Sequence, residues 1–283
     1  MTPMMRSAAT VLMWLVTTVV LAAAIPAAWA QLNLVDRGGY TALAERAATD
    51  PQLQTAMAGE LTAQVGRLGA GVDSTVVSRI ATAYTSSTAF PQQFAEANGF
   101  AHRWLFTNTV PATVDPQGRW VIDLAPMLSD AAFVQTLRDF DITVPSSVLI
   151  PLTDDAPSFL RPGAFRMAGQ WGPWLAVGLA VLTAASALLT VFAARARGRA
   201  IVALGVSGLL VGAAGWAGIA IGQGHLREAL NNTSGTTRRV ADVMVATAQD
   251  SMHQWLNVTL IVGGGLVIVG VIVSLLTGLV RTS

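Results

Sequence analysis

Three histidines are the side chains best suited to chemistry in this chain of 283 residues. His102 lies in "NGFAHRW", with Asn98 four residues before it on the same face of an expected helix. That spacing makes His102 and Asn98 a candidate polar pocket, with His102 the natural acid or base. The competing reading is that the two brace a helix bundle. It is favoured, because no second ligand or nucleophile stands at usable spacing. His225 and His253 fall in a later segment, and three His on separate elements lack the fixed spacing of a helical zinc motif. Acidic clusters at Arg138–Asp141 and at Asp154 and Asp155 lack the Gly-centred, alternate-oxygen loop of a calcium site. They read as solvated faces. There is no Gly-x-Ser-x-Gly elbow, phosphate loop or dinucleotide fingerprint. No catalytic residue, no metal ligand and no cofactor is therefore assigned, and the chain reads as a non-enzyme.

The elements that must carry these residues belong to a membrane protein. Hydrophobic residues make up 53% and charged residues 12%. A soluble domain carries about 25% charged residues, and the mean hydropathy of +0.54 points the same way. Four stretches, Ala8–Ala30, Trp171–Ala194, Ala200–Gly222 and Leu256–Val280, contain no Asp, Glu, Arg or His. Each meets the ~20 apolar residues that a helix needs to cross the bilayer. No ionisable group stands at membrane depth, where proton- and ion-coupled transporters keep them.

All 17 basic residues are Arg, and cysteine is absent, which excludes disulfides and thiolate metal sites. Arg6, Arg195, Arg197, Arg199 and Arg281 flank the spans at alternate ends, so a four-span chain gathers them on one side. The positive-inside rule makes that side cytoplasmic. Residues 31–170, with 9 Arg and 13 acids, and residues 223–255, with 3 of each, then lie outside. An acidic outer segment and a topology-fixed Arg turn give no footing for nucleic acid.

The first span ends in "AAAIPAAWAQ". "AWA" before Gln31 has the form of a cleavage site. The single Arg before the span and the length of the apolar run favour a retained anchor, and the signal-peptide alternative stays open. Residues 31–170 have the size of a domain. "TDPQLQTAMAGELTAQVGRLGAG" predicts a helix from Asp50 to about Leu68, with Asp50 as N-cap, Pro51 at the first position, and Gly69 and Gly71 as stops. "TALAERAA", "STVVSRIATAY" and "AFPQQFAEANGFAHRWLF" predict further helices. "TVPATVDPQGRWVIDL" then changes period around the turn "DPQG" and predicts a β-hairpin. "APMLSDAAFVQTLRDF" returns to helical spacing, and "ITVPSSVLIPL" is extended. "TTRRVADVMVATAQDSMHQW" predicts an amphipathic helix that either lies on the membrane or packs on the outer domain.

The expected fold is thus a mainly α membrane protein: four transmembrane helices with an extracytoplasmic helical domain carrying a small β-hairpin or sheet. Its parts are an anchor over 1–30, an outer domain over 31–170, a transmembrane hairpin over 171–222, an outer loop with an amphipathic helix over 223–255, and a last span with a short tail over 256–283. Trp171, Trp174 and Trp255 stand where indoles anchor at the membrane interface. Gly208 with Gly212, and Gly218 with Gly222, form small-xxx-small pairs for helix packing. They serve either the packing of spans within the chain or an oligomer interface.

"YTALAERAATDPQLQTAMAGELT", "FPQQFAEANGFAHRWL" and "RWVIDLAPM", set between a first span and a three-span C-terminal part, resemble a broad group of actinobacterial membrane proteins of unassigned function. The resemblance covers most of the chain in layout. It implies the four-span architecture and a location in the plasma membrane of a bacterial cell envelope, and it brings no catalytic residue with it. The expected role is an outer domain that binds a protein, lipid or wall component, with the lipid bilayer and an envelope protein or a second copy as partners. The alternatives are a transport or pore subunit, and an enzyme using His102.

Overall fold

The computed structural model describes residues 3–67, 73–107, 113–114, 120–123, 149–151, 163–194, 196–229 and 235–282. The expected helix over "APMLSDAAFVQTLRDF", the turn "DPQG", the helix stops Gly69 and Gly71, the acidic clusters at 138–141 and 154–155, and the His225 side chain lie outside the described residues. The chain divides into two compact units. A span unit holds residues 1–31, 173–232 and 249–283, and an inter-span unit holds residues 32–172 and 233–248.

Four helices belong wholly or largely to the span unit: α1 (Pro3–Ala30) and, later in the chain, α6 (Arg166–Ala193), α7 (Arg197–Ala229) and α8 (Gly235–Thr282). Each contains a stretch long and apolar enough to cross a membrane. Their ends differ from the expected boundaries. α6 begins five residues before Trp171, α7 runs on to Ala229, and the expected loop helix is the first part of α8, a single helix of 48 residues. No Pro or Gly falls between Arg238 and Asn257 to break it. Trp, Val, Phe and Ile side chains such as Trp174, Val181, Phe192, Ile261 and Ile268 point outward, which is compatible with an apolar surround.

A π-helical turn over Gln31–Val35 leads into the inter-span unit. Asp36 then caps α2 (Arg37–Ala48), its carboxylate accepting from the Gly39 amide at 2.9 Å. Gly39 passes so close to the Leu32 carbonyl that a Cβ there would collide with backbone, so the bend from the turn into α2 requires glycine. α3 (Pro51–Arg67) and α4 (Ser74–Thr85) pair with each other, and α5 (Phe90–Phe106) lies against α2. Asp73 caps α4 through the Thr75 amide at 2.7 Å, and these contacts hold its carboxyl below the usual range. Phe165 and Gly163 donate amides to the last carbonyls of α5, at Leu105 and Trp104.

Three short strands follow α5: β1 (Thr113–Val114), β2 (Trp120–Asp123) and β3 (Leu149–Pro151). They order β1-β2-β3, antiparallel throughout, with Val121 opposite both Thr113 and Pro151.

The core of the inter-span unit is built from distant parts of the sequence. Ala44, Ala47 and Ala48 of α2, Leu53 of α3, and Phe90 and Phe94 of α5 bury together with Val243 of α8. Met57, Tyr84, Val240 and Met244 pack around them. The small face of α2 lets the aromatic side chains of α5 come close, and Phe90 meets Tyr84 edge-on at 5.6 Å. Of the two places expected for the amphipathic segment, the one observed is against this helical core.

Candidate functional site

His102 is set by three elements. α5 carries it as one of its buried side chains. α2 presents Tyr40, whose ring centroid lies 5.1 Å away. The π-helical turn supplies a carbonyl: His102 Nε2 lies 3.1 Å from Leu34 O. A carbonyl oxygen only accepts, so His102 donates there as its Nε2–H tautomer. On its other side the imidazole stacks on Phe106, with centroids 4.2 Å apart and planes within 9°. Burial lowers the imidazole pKa below its ordinary value, against the opposing pull of the Leu34 and Val35 backbone. His102 is therefore neutral near pH 7, packed between rings, with a fixed hydrogen bond.

Asn98 and His102 do share a face, but they do not face each other across an empty pocket. Asn98 Oδ1 accepts from the Tyr40 hydroxyl at 3.2 Å, and its amide donates to Phe94 O at 2.9 Å. Burial raises the Tyr40 hydroxyl pKa. Arg37 and Glu96 flank the cluster at 3.7 Å, both near half exposed, a pair of small energetic value. Tyr40 joins His102 to Asn98, yet it stands 58 residues before Asn98 in sequence with no spacing that could have announced it. The arrangement can hold helix α5 to α2 and to the π turn. Among the described residues, no three His, Asp or Glu side chains gather as a metal site.

In the span unit His253 stacks on Trp216, with centroids 3.9 Å apart and planes within 12°. The indole N–H donates to Asn257 at 3.2 Å, and Gln223 donates to Gln249 at 3.1 Å. A layer of aromatic and amide contacts thus links α7 to α8.

The paired glycines separate into two sets. A Cβ on Gly208 would lie 3.1 Å from the Gly263 Cα, and one on Gly212 would lie 2.6 Å from the Leu260 side chain. These two positions are among those where α7 and α8 touch. Gly218 and Gly222 have nothing within 4 Å among the described residues, so that pair takes no part in the crossing. Trp174 and Trp171 are exposed, and Trp255 is half-buried.

Sequence reasoning passed over the hydroxyls and indoles that join the spans. Trp14 donates to Ala203 O at 2.8 Å, Thr18 pairs with Ser207 at 2.7 Å, and Trp29 donates to Ser251 at 3.2 Å. Thr17 and Thr190 meet at 3.5 Å, both fully buried. The available signal was a polar side chain inside an apolar helix, since such groups hydrogen-bond across helices in lipid. Protein-family models, curated proteins and solved structures give no match to this chain.

Proposed function

We propose that this chain is a multi-pass protein of a bacterial plasma membrane. Both termini are cytoplasmic, and the inter-span unit stands outside and binds a protein, a lipid or a wall component as a scaffold or accessory subunit. One observation carries the reading: residues 32–172 and 233–248 build a single core, with Val243 buried among Ala44, Leu53 and Phe90. Two segments separated by two spans share a core only on the same side of the membrane. That supports the sidedness deduced from the Arg residues. The bonds from Trp14 and Thr18 to α7 support a first span that is kept. The use of His102 as a brace supports binding over turnover, because a general acid or base needs access to a substrate proton.

The test is a native mass spectrum of the C-terminally tagged chain extracted from its own membranes in mild detergent. A full-length chain with a stoichiometric partner or ligand is the expected result. A bare chain that turns over a lipid or wall substrate, with activity lost in His102→Ala, would overturn it.

A further inference from the structure

A cavity of about 610 Å³ opens in the span unit between α1, α6 and α7, at the end where α6 and α7 are joined. Its wall is apolar along Val11, Trp14, Ala193, Ala203 and Val206, and Arg199 stands in its lining. The Arg199 side chain is exposed and has no acidic partner among the described residues. None can come from the spans themselves, because residues 1–31, 173–222 and 256–283 contain no Asp or Glu. Trp14 donates its N–H to the Ala203 carbonyl, so that polar group is already satisfied and the ring offers carbon surface. From Arg199 to Val206 the wall runs about 10 Å along α7, most of one leaflet of a ~30 Å hydrocarbon core.

We infer that this groove is a binding site for one anionic phospholipid of the leaflet at the Arg end. The headgroup phosphate pairs with Arg199, and an acyl chain lies along Trp14 and Val206. The chemistry fits both parts. A guanidinium without a carboxylate partner takes a phosphate as a charge-assisted pair, and an apolar trough beside it takes a hydrocarbon chain. Basic pockets between membrane helices recognise anionic headgroups in this way. The inference rests on the four helices crossing a membrane, and a chain that does not insert would retain no lipid of either kind.

The experiment purifies the full chain in mild detergent, adds dioleoyl phosphatidylglycerol or dioleoyl phosphatidylcholine, and reads retained lipid by native mass spectrometry. One phosphatidylglycerol per chain is expected, with phosphatidylcholine weaker. Arg199→Gln should lower occupancy about fivefold. Arg197→Gln removes the same charge two residues away, outside the groove lining, and should leave it within a factor of two. Ala193→Phe fills the groove at an exposed position, keeps the charge, and should abolish retention. Millimolar inorganic phosphate should not displace the lipid, and displacement would mean a phosphate site without a place for the chain. Equal retention of both lipids, equal losses in the two Arg variants, or unchanged retention in Ala193→Phe would each overturn the inference.

Discussion

Gly263→Ala tests the crossing of α7 and α8 with one added methyl group. A Cβ at 263 would lie 2.9 Å from both the Gly205 carbonyl oxygen and the Leu209 nitrogen, and 3.1 Å from the Gly208 carbonyl carbon. Ordinary contact begins near 3.4 Å, so the helices must separate by about 0.5 Å, which forfeits a quarter or more of each dispersion well along the seam. All three atoms are backbone, and none can rotate away. Overpacking of this kind costs about 1–3 kcal/mol. Gly264 and Gly265 follow directly, and a Cβ on either meets nothing within 4 Å. Alanine there should be neutral or should stabilise by up to about 1 kcal/mol through helix propensity. The assay is thermal unfolding of the full chain in one detergent. Gly263→Ala should lower the midpoint by about 2–10 °C, with Gly264→Ala and Gly265→Ala at or above the parent. Equal midpoints for the three variants would refute the close backbone approach.

Stability should fall with acid through His102. Its folded pKa is depressed by burial, so the unfolded chain binds the extra proton. The loss starts as pH drops through the unfolded value of about 6.5 and levels off below the folded one; denaturant midpoints between pH 7.5 and 5 should show less of this slope in His102→Gln. The two tyrosines, Tyr40 and Tyr84, are both raised by burial, Tyr84 to about 12. Phenolate absorbance should therefore stay low between pH 10 and 11 in the folded chain and jump on unfolding, and that part of the stability is lost as pH rises above about 10. Val243→Asp places a carboxylate in the shared core and should cost about 3 kcal/mol or more. Limited proteolysis should then cut between residues 233 and 248, which stay protected in the parent.

The spans were legible because a bilayer imposes its rule locally. Twenty apolar residues without a charge need no knowledge of their neighbours, and the start of α3 at Pro51 after Asp50 is a local capping rule. What escaped depends on registration between distant elements. Three consecutive glycines look alike in sequence, yet only Gly263 faces α7, because the helix turns about 100° per residue. The bond from His102 to Leu34 spans 68 residues and uses a carbonyl of a π turn, for which the sequence "QLNLV" carries no signal. The amphipathic face of Val240, Val243 and Met244 could be read, but its partner could not, since apolar surface fits a bilayer or a protein core equally well. The spacing of His102 and Asn98 puts both on one helical face, but nothing in it points to Tyr40, which bonds Asn98 and packs on His102.

The absence of cysteine makes the central claim directly measurable, because each introduced thiol is the only one in the chain. Ser78→Cys and Ala246→Cys place exposed thiols in the two segments of the inter-span unit, and Ala196→Cys places one at the Arg end of the spans. Each variant is treated, in intact spheroplasts and after permeabilisation, with a maleimide that cannot cross membranes. Labelling of Cys at 78 and 246 in intact spheroplasts, and at 196 only after permeabilisation, is the predicted pattern. Opposite sidedness of 78 and 246, or labelling of 196 in intact spheroplasts, would contradict a shared unit outside the membrane.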